Sequence, residues 1–436
     1  MFSKLAILLA APAVLVAQQT SETYRPISLA DAIKLSKENY VSIVTSSNAI
    51  RTASNSVRAA RGAYYPTLSF SAGQSKSAGE RLNNNTNEIT SFASDWSYNT
   101  GLNASLTLYD GGGLRADLRK ARADVASAEA NQGSTQATLI YNVKQAYNSV
   151  LAANEQEAAA RASLEVAEQN LRITVARVNA GAANVADSLQ QVVNVGNARI
   201  SILSAQQQFR VASGNLSRFV SASYLVTALP GDTAEASHPP IDSAAVMSLA
   251  LDGPNIRALQ SQLNANQATR SAARAAYLPT ITASAGLSGS GTQNLYGTGV
   301  GAKPYPYSRS FSLRASYPIF NGFVRENQVA AAEISMDNTL ANLRDAKLAN
   351  QQQIITQVGV IRNAEEKLRL YQLSVRAAEE ALRVNQQRYA AGVGTLIDVL
   401  TSQSSLVSAR FNLIGARLEY RNARAQIEQV IGRDLP

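Results

Sequence analysis

Side chains able to do covalent chemistry at neutral pH are nearly absent from this chain. It has no Cys and a single His. A thiolate nucleophile, a disulfide framework and a zinc site of several Cys or His ligands are therefore excluded, because each needs such groups to converge. A serine triad would have to recruit His238, which sits in His238-Pro239-Pro240 after the loose stretch 231–237 and reads as a linker histidine. Gly111-Gly112-Gly113 precedes a helical segment but lacks the phosphate-loop lysine, so it reads as a strand-to-helix turn. With no paired-carboxylate or nucleophile constellation either, the expectation is a protein that is not an enzyme and holds no cofactor or metal.

The elements that might have positioned an active site say more than the missing site does. The 436 residues carry 40 Lys+Arg against 31 Asp+Glu, a net charge of +9, but only 16% are charged, below the roughly 25% of soluble domains. The basic residues are dispersed among acids along helical segments, a pattern that argues against a nucleic-acid partner. Residues 1–4 are a short basic start, 5–16 an apolar run, and Leu15-Val16-Ala17 offers a small residue for cleavage, so 1–17 is expected to be a signal peptide. That run is too short to cross about 30 Å of hydrocarbon. No Cys follows it to carry an N-terminal lipid. Nor does any later stretch reach 18 apolar residues, so the exported chain should be soluble or cross a membrane as a β-barrel.

The chain repeats itself. Residues 57–73 (VRAARGAYYPTLSFSAG) and 270–286 (RSAARAAYLPTITASAG) agree at ten of seventeen positions at an offset of 213. Leu108-Tyr109-Asp110-Gly111 answers to Ile319-Phe320-Asn321-Gly322, and Arg177, Gly181, Asp187, Leu189, Ala198 and Arg199 match Arg388, Gly392, Asp398, Leu400, Ala409 and Arg410 at an offset of 211. A period this long indicates a duplicated domain rather than a solenoid. The predicted halves are 27–221 and 241–432, joined by a linker over 222–240.

Each half has one grammar: helix, two strands, long helix, helix. Apolar residues at helical spacing predict a helix over 28–63, which Pro66 stops. Leu68, Phe70 and Ala72 alternate with small polar residues, as do the even positions from Trp96 to Leu108, which predicts two strands with one apolar face. The stretch between them, 74–94, reads as an exposed loop. A Pro-free segment over 112–179 predicts a helix on the order of 100 Å long, and a shorter one follows over 184–219. The second half copies this with a helix at 241–277, strands near 279–287 and 308–317, a long helix at 323–390, a break at 392–394 and a helix at 395–431. Two shorter helices stacked end to end would match the long one, which puts the strands at one end of a two-helix rod.

Four strands of about ten residues, with Trp96, Tyr98, Tyr305, Tyr307 and Phe311 near their outer ends, fit membrane-crossing strands with an aromatic girdle. Four strands cannot close a barrel, and lipid does not tolerate open edges. Two chains would supply eight strands around a filled interior, and three would supply twelve around a lumen. The alternative is a secreted or periplasmic helical rod with a small β-cap and no channel activity.

The tandem halves, the Ala-Ala-x-x-Tyr-x-Pro entries to strands, the Tyr/Phe-Asp/Asn-Gly exits and the segment 388–403 (RYAAGVGTLIDVLTSQ) closely resemble the TolC-like outer-membrane efflux proteins. That resemblance implies an α+β membrane protein acting as a homotrimer, with a twelve-stranded β-barrel in outer-membrane lipid continued by a twelve-helix periplasmic α-barrel. It implies a passive exit duct for efflux or type I secretion, with a periplasmic adaptor and an inner-membrane pump of RND or ABC type as partners. Gly181, Gly392 and Gly394 would lie in the helical tip turns. Position by position, Tyr389 matches a gate tyrosine, Asp187 its first-half acceptor and Asp398 a pore-facing aspartate. The chain departs from the family pattern at Gly394, where a gate arginine is expected, and at Thr401, where a second aspartate ring is expected.

Overall fold

The computed structural model describes residues 24–83, 88–94, 96–229, 242–292 and 306–435. The predicted signal peptide, residues 230–240 of the predicted linker with His238, and Tyr305 lie outside them. The elements run β1 (Arg25–Ile27), α1 (Leu29–Asn39), α2 (Val41–Gly62), β2 (Thr67–Ser75), β3 (Ala78–Asn83), β4 (Glu88–Ala93), β5 (Ser97–Tyr109), α3 (Gly113–Asn179), α4 (Val185–Val220), β6 (Val226–Ala228), α5 (Ser243–Ala250), α6 (Pro254–Ala275), β7 (Thr280–Thr292), β8 (Tyr307–Ser316), α7 (Val324–Ala390) and α8 (Leu396–Ile431). The two long helices have 67 residues each and the two that follow them 36 each.

Three sequence expectations need correction. The first helix is broken at Tyr40, whose extended backbone (φ −71°, ψ 137°) caps α2. Its counterpart in the second half is also broken, because Gly253-Pro254 starts a new helix with proline at its first position, where the missing N–H costs nothing. The expected loop 74–94 contains the antiparallel hairpin β3–β4.

Residue contacts divide the chain into two compact units. The first comprises residues 1–36, 143–236 and 371–418. In it β1 and β6 pair in parallel, Arg25 to Val226 through Ile27 to Ala228. Tyr147 clamps this pair: its hydroxyl donates to the Ile27 carbonyl at 3.2 Å and accepts from the Leu229 amide at 3.1 Å, and the side chain is 1% exposed. Replacing Tyr147 with Phe removes the hydroxyl from this pair, although the Leu229 amide still donates to the Ile27 carbonyl at 3.1 Å. The substitution is expected to lower unfolding free energy by about 0.5–1.5 kcal/mol, read as a lower denaturant midpoint at unchanged slope.

The second unit comprises residues 37–142, 237–370 and 419–436. Its apolar core joins Val246 and Ala250 of α5, Ile354, Val358 and Ile361 of α7, and Ile427 and Val430 of α8. The Asn350 amide satisfies the Ala250 carbonyl at 2.9 Å, at the C-terminal end of α5. The same unit holds an antiparallel sheet of order β2-β5-β7-β8. Register sets the faces. Thr67, Ser69 and Ser71 oppose Ser105, Asn103 and Gly101, and Ser284 and Ser288 oppose Ser312 and Ser308 with hydroxyls 2.7 Å apart. One face is thus a ladder of Ser, Thr, Asn and Gly. The other carries rows such as Leu68-Ala104-Ala285-Phe311 and Phe70-Leu102-Leu287-Arg309. Among the described residues β2 and β8 are both free edges and no helix covers the apolar rows, where Leu68, Phe70, Phe311 and Leu313 are exposed.

Candidate functional site

The two helical turns singled out from the sequence close in the same way. After α3, Gly181 takes φ 70°, its amide donates to the Val178 carbonyl at 3.0 Å, and the Ala182 amide donates to that of Arg177 at 2.8 Å. After α7, Gly392 takes φ 81°, its amide donates to Tyr389 at 3.1 Å, and the Val393 amide donates to Arg388 at 3.0 Å. This left-handed cap satisfies carbonyls that a helix end otherwise leaves open, and its conformation favours glycine. Gly394 serves another purpose. Its amide also donates to the Arg388 carbonyl, at 3.1 Å, and a Cβ there would lie 3.0 Å from that of Arg388. An arginine at this position, as the resemblance leads one to expect, would press on the last turn of α7.

Asp187 and Asp398 both occupy the third position of the helix that follows a turn. Asn184 caps α4 by accepting from the Ala186 amide at 3.1 Å. At α8 the cap is reciprocal: the Asp398 amide donates to the Thr395 hydroxyl at 3.2 Å, and the Thr395 amide donates to the Asp398 carboxylate at 3.1 Å. Asp398 is thus a capping residue in its own right. The Thr395 hydroxyl, then the Thr395 amide and the Arg388 charge hold its carboxyl below the usual aspartate value. A depressed carboxylate contributes stability above its unfolded pKa and loses it as pH falls through the folded one. Hydrogen-exchange protection of the first turn of α8 should therefore hold at neutral pH and fade below about pH 4. Asp398→Asn should flatten that dependence.

Tyr389 is 6% exposed and packs with Leu382, Val399 and Leu406. Its hydroxyl donates to the Thr174 hydroxyl oxygen at 3.4 Å. The expected bond to Asp187 is not made within the chain. Thr174 lies on α3 and is wholly buried against the tyrosine, whereas Asp187 sits half-buried in the first turn of α4. The residue that does grip Tyr389 was missed from sequence. Arg177 lies over its ring at 4.3 Å, donates to its backbone carbonyl, and donates to the Ala182 carbonyl at 3.1 Å. One guanidinium thus ties the closing turn of α3 to the last turn of α7. The only signal for it was its match to Arg388 in the repeat. A ladder of amides continues the contact between α3, α7 and α8: Gln386 donates to Asn170 at 2.9 Å, Asn170 to Gln403 at 3.2 Å, and Asn385 to Ser402 at 2.7 Å.

At the sheet, Trp96 precedes β5, Tyr98 is its second residue and Tyr307 is the first of β8, all at the end away from α2 and α3. Phe311 is not terminal. It lies mid-strand, 78% exposed, opposite Ala285. A second aromatic collar rings the helical end of the sheet, where Tyr64, Tyr65, Tyr109, Tyr317, Phe320 and Phe323 are all exposed. The Tyr-x-Pro and Tyr/Phe-Asp/Asn-Gly motifs carried that collar in the sequence. Among the described residues no helix is long and apolar enough to cross a membrane, and no group of His, Asp and Glu side chains is arranged to hold a metal.

Comparison with known proteins agrees with this geometry. The sequence profile described as outer membrane efflux protein matches residues 32–221 and 246–433. The pyoverdine export outer membrane protein OpmQ of Pseudomonas aeruginosa is 29% identical over 344 residues, covering 77% of this chain and 70% of that protein. The probable outer membrane lipoprotein SilC of Salmonella typhimurium is 26% identical over 364 residues, covering 80% and 74%. Among solved structures, CusC superposes with a TM-score of 0.78 at 20% identity over 98% of this chain and 99% of that one. The outer membrane protein VceC of Vibrio cholerae gives 0.75 at 18% identity over 94% and 97%. At these identities the structures speak to the fold alone, but the profile match takes in most of the chain, and on that ground the chain belongs to the outer membrane efflux protein family.

Proposed function

We propose that three copies of this chain close a twelve-stranded barrel in the outer membrane of a Gram-negative bacterium, continue as a twelve-helix α-barrel in the periplasm, and form the passive exit duct of a tripartite efflux or type I secretion system. The observation that carries this is the four-stranded sheet, open at β2 and β8 and bare on its apolar face. Unpaired strand edges and uncovered apolar rows suit neither water nor a lone chain in lipid. Joining β8 of one copy to β2 of the next satisfies both, and twelve strands leave a lumen lined by the Ser, Thr and Asn ladder. The two aromatic collars fit the two interfaces of such a barrel. The two matched segments, 32–221 and 246–433, support a duplicated chain with halves 27–221 and 241–432; in this reading residues 1–17 are its signal peptide, on their sequence alone.

In this reading the turns at Gly181 and Gly392 are the periplasmic tips, and Asp187, Tyr389 and Asp398 lie at the gate. An adaptor and an RND-type or ABC-type pump bind the open tip better than the closed one and so shift its population. The pump supplies the energy, and this chain performs no chemistry. Detergent-extracted protein is expected to run as a trimer and to conduct ions in planar bilayers. Release by osmotic shock as a soluble, non-conducting monomer would overturn the duct and leave a periplasmic rod.

A further inference from the structure

The apolar face of the sheet carries one charge. Arg309 is the third residue of β8, exposed, on the same side as Tyr307 and Phe311 and opposite Leu287. The pleat decides this side, because Ser308, Ser310 and Ser312 belong to the polar ladder and their neighbours must face the other way. Among the described residues no carboxylate and no hydrogen-bond acceptor engages its guanidinium.

Nor can a second copy supply one from its strands. The sequences of β2 (TLSFSAGQS), β5 (SYNTGLNASLTLY), β7 (TITASAGLSGSGT) and β8 (YSRSFSLRAS) contain no Asp or Glu. Of the acids near the outer ends of the strands, Glu80 and Glu88 belong to the separate β3–β4 hairpin, and Asp95 lies outside the described residues. In a closed barrel the strand added beside β8 is β2 of the neighbour, which brings Leu68 and Phe70 rather than an anion.

The height of Arg309 points to its partner. Seven residues separate it from Ser316 at the helical end, about 23 Å along the strand at roughly 3.3 Å per residue. Strands tilted by about 40° would put it roughly 18 Å up an apolar band about 25 Å tall. From there an arginine stem reaches the outer edge of the band with its head among the lipid headgroups. An arginine rather than a lysine is suited to that place, since its planar fork grips a phosphate through two parallel hydrogen bonds. Tyr307 and Phe311, one row to either side, give acyl chains an aromatic wall.

We propose that Arg309, flanked by Tyr307 and Phe311, binds the phosphate of an anionic lipid of the outer leaflet. The site rests on the barrel reading above, because only there does this face meet lipid. It would hold three such lipids around the trimer, each against the seam between β8 and the next copy.

The test uses the full-length protein extracted from membranes in mild detergent. Bound lipid is counted per trimer by native mass spectrometry after exposure to diphosphorylated lipid A, to the same lipid without its phosphates, and to inorganic phosphate. Wild type should retain phosphorylated lipid A, and Arg309→Gln should lose about tenfold in retention, the scale of one lost charge-assisted hydrogen bond. Arg309→Lys should recover part of the loss. Arg314→Gln, on the opposite face of the same strand, should match wild type. The dephosphorylated lipid should be held equally weakly by all four proteins, and inorganic phosphate should not displace lipid A. If trimers insert normally but wild type, Arg309→Gln and Arg314→Gln retain lipid A alike, or if inorganic phosphate displaces it fully, the lipid site is wrong and the barrel stands. A wild-type chain that never enters the membrane overturns both.

Discussion

Leu68→Arg is expected to remove the protein from the outer membrane. Leu68 is 69% exposed and begins the row Leu68-Ala104-Ala285-Phe311 on the apolar face. An arginine facing lipid at the midplane costs about 2–4 kcal/mol. In the proposed trimer three copies would bring the penalty to at most roughly 6–12 kcal/mol, comparable to the stability of many folded proteins. The loss should appear as the absence of detergent-resistant trimers in outer-membrane fractions. Ser69→Arg supplies the contrast, since Ser69 is the next residue but joins the polar ladder, with its hydroxyl 3.4 Å from the Asn103 carbonyl. It should insert and alter only conductance. Equal insertion of the two variants would show that the apolar rows do not face lipid.

The second large effect belongs to the turn. Arg177→Ala removes a guanidinium stacked on the Tyr389 ring and bonded to carbonyls of two turns. At a half-buried site the loss should come to about 2 kcal/mol per chain, a roughly 30-fold shift of a two-state equilibrium. In the proposed duct, gated at these turns, this should read in planar bilayers as a marked rise in open probability, with faster hydrogen exchange at residues 177–182 and 388–394. Tyr389→Phe removes only a long hydroxyl contact to Thr174 and should change opening by a small factor. Arg177→Lys should fall between, because an ammonium keeps the charge but not the planar stack. If Tyr389→Phe opened the duct as far as Arg177→Ala, the hydroxyl would carry the latch and the arginine clamp would be secondary.

What the sequence made legible follows from period and punctuation. The long helices have no proline inside and a glycine past each end, so their ends were readable to within a residue or two. The four sheet strands alternate apart from Arg309 and the register shift at Thr107/Tyr109, because one face is apolar and the other polar. The hairpin β3–β4 was not readable, since neither AGERLN nor EITSFA alternates apolar with polar residues and their composition resembles a loop. The break at Tyr40 has no glycine or proline to mark it, whereas Gly253-Pro254 does mark the second break but the predicted helix runs through it, because helical spacing resumes on either side. At the candidate site the glycines and aspartates could be placed by the repeat, but the partner of Tyr389 could not. A ring stacked under an arginine from a helix more than two hundred residues earlier leaves no periodic trace.

The parallel pair β1–β6 has a consequence for how the chain is made. Parallel strands cannot be joined by a tight turn, and here the first strand waits for a partner almost two hundred residues later. A chain threaded N-terminus first delivers Arg25–Ile27 early and Val226–Ala228 late. Through that interval β1 has an unmet edge and Tyr147 lacks the amide of Leu229 that its hydroxyl accepts from in the finished protein. Contacts of such long sequence separation are slow to form. The β1–β6 pair therefore forms only after all of α3 and α4 have emerged, and the first unit waits longer still for residues 371–418, which leaves a nascent strand open to capture by chaperones during export.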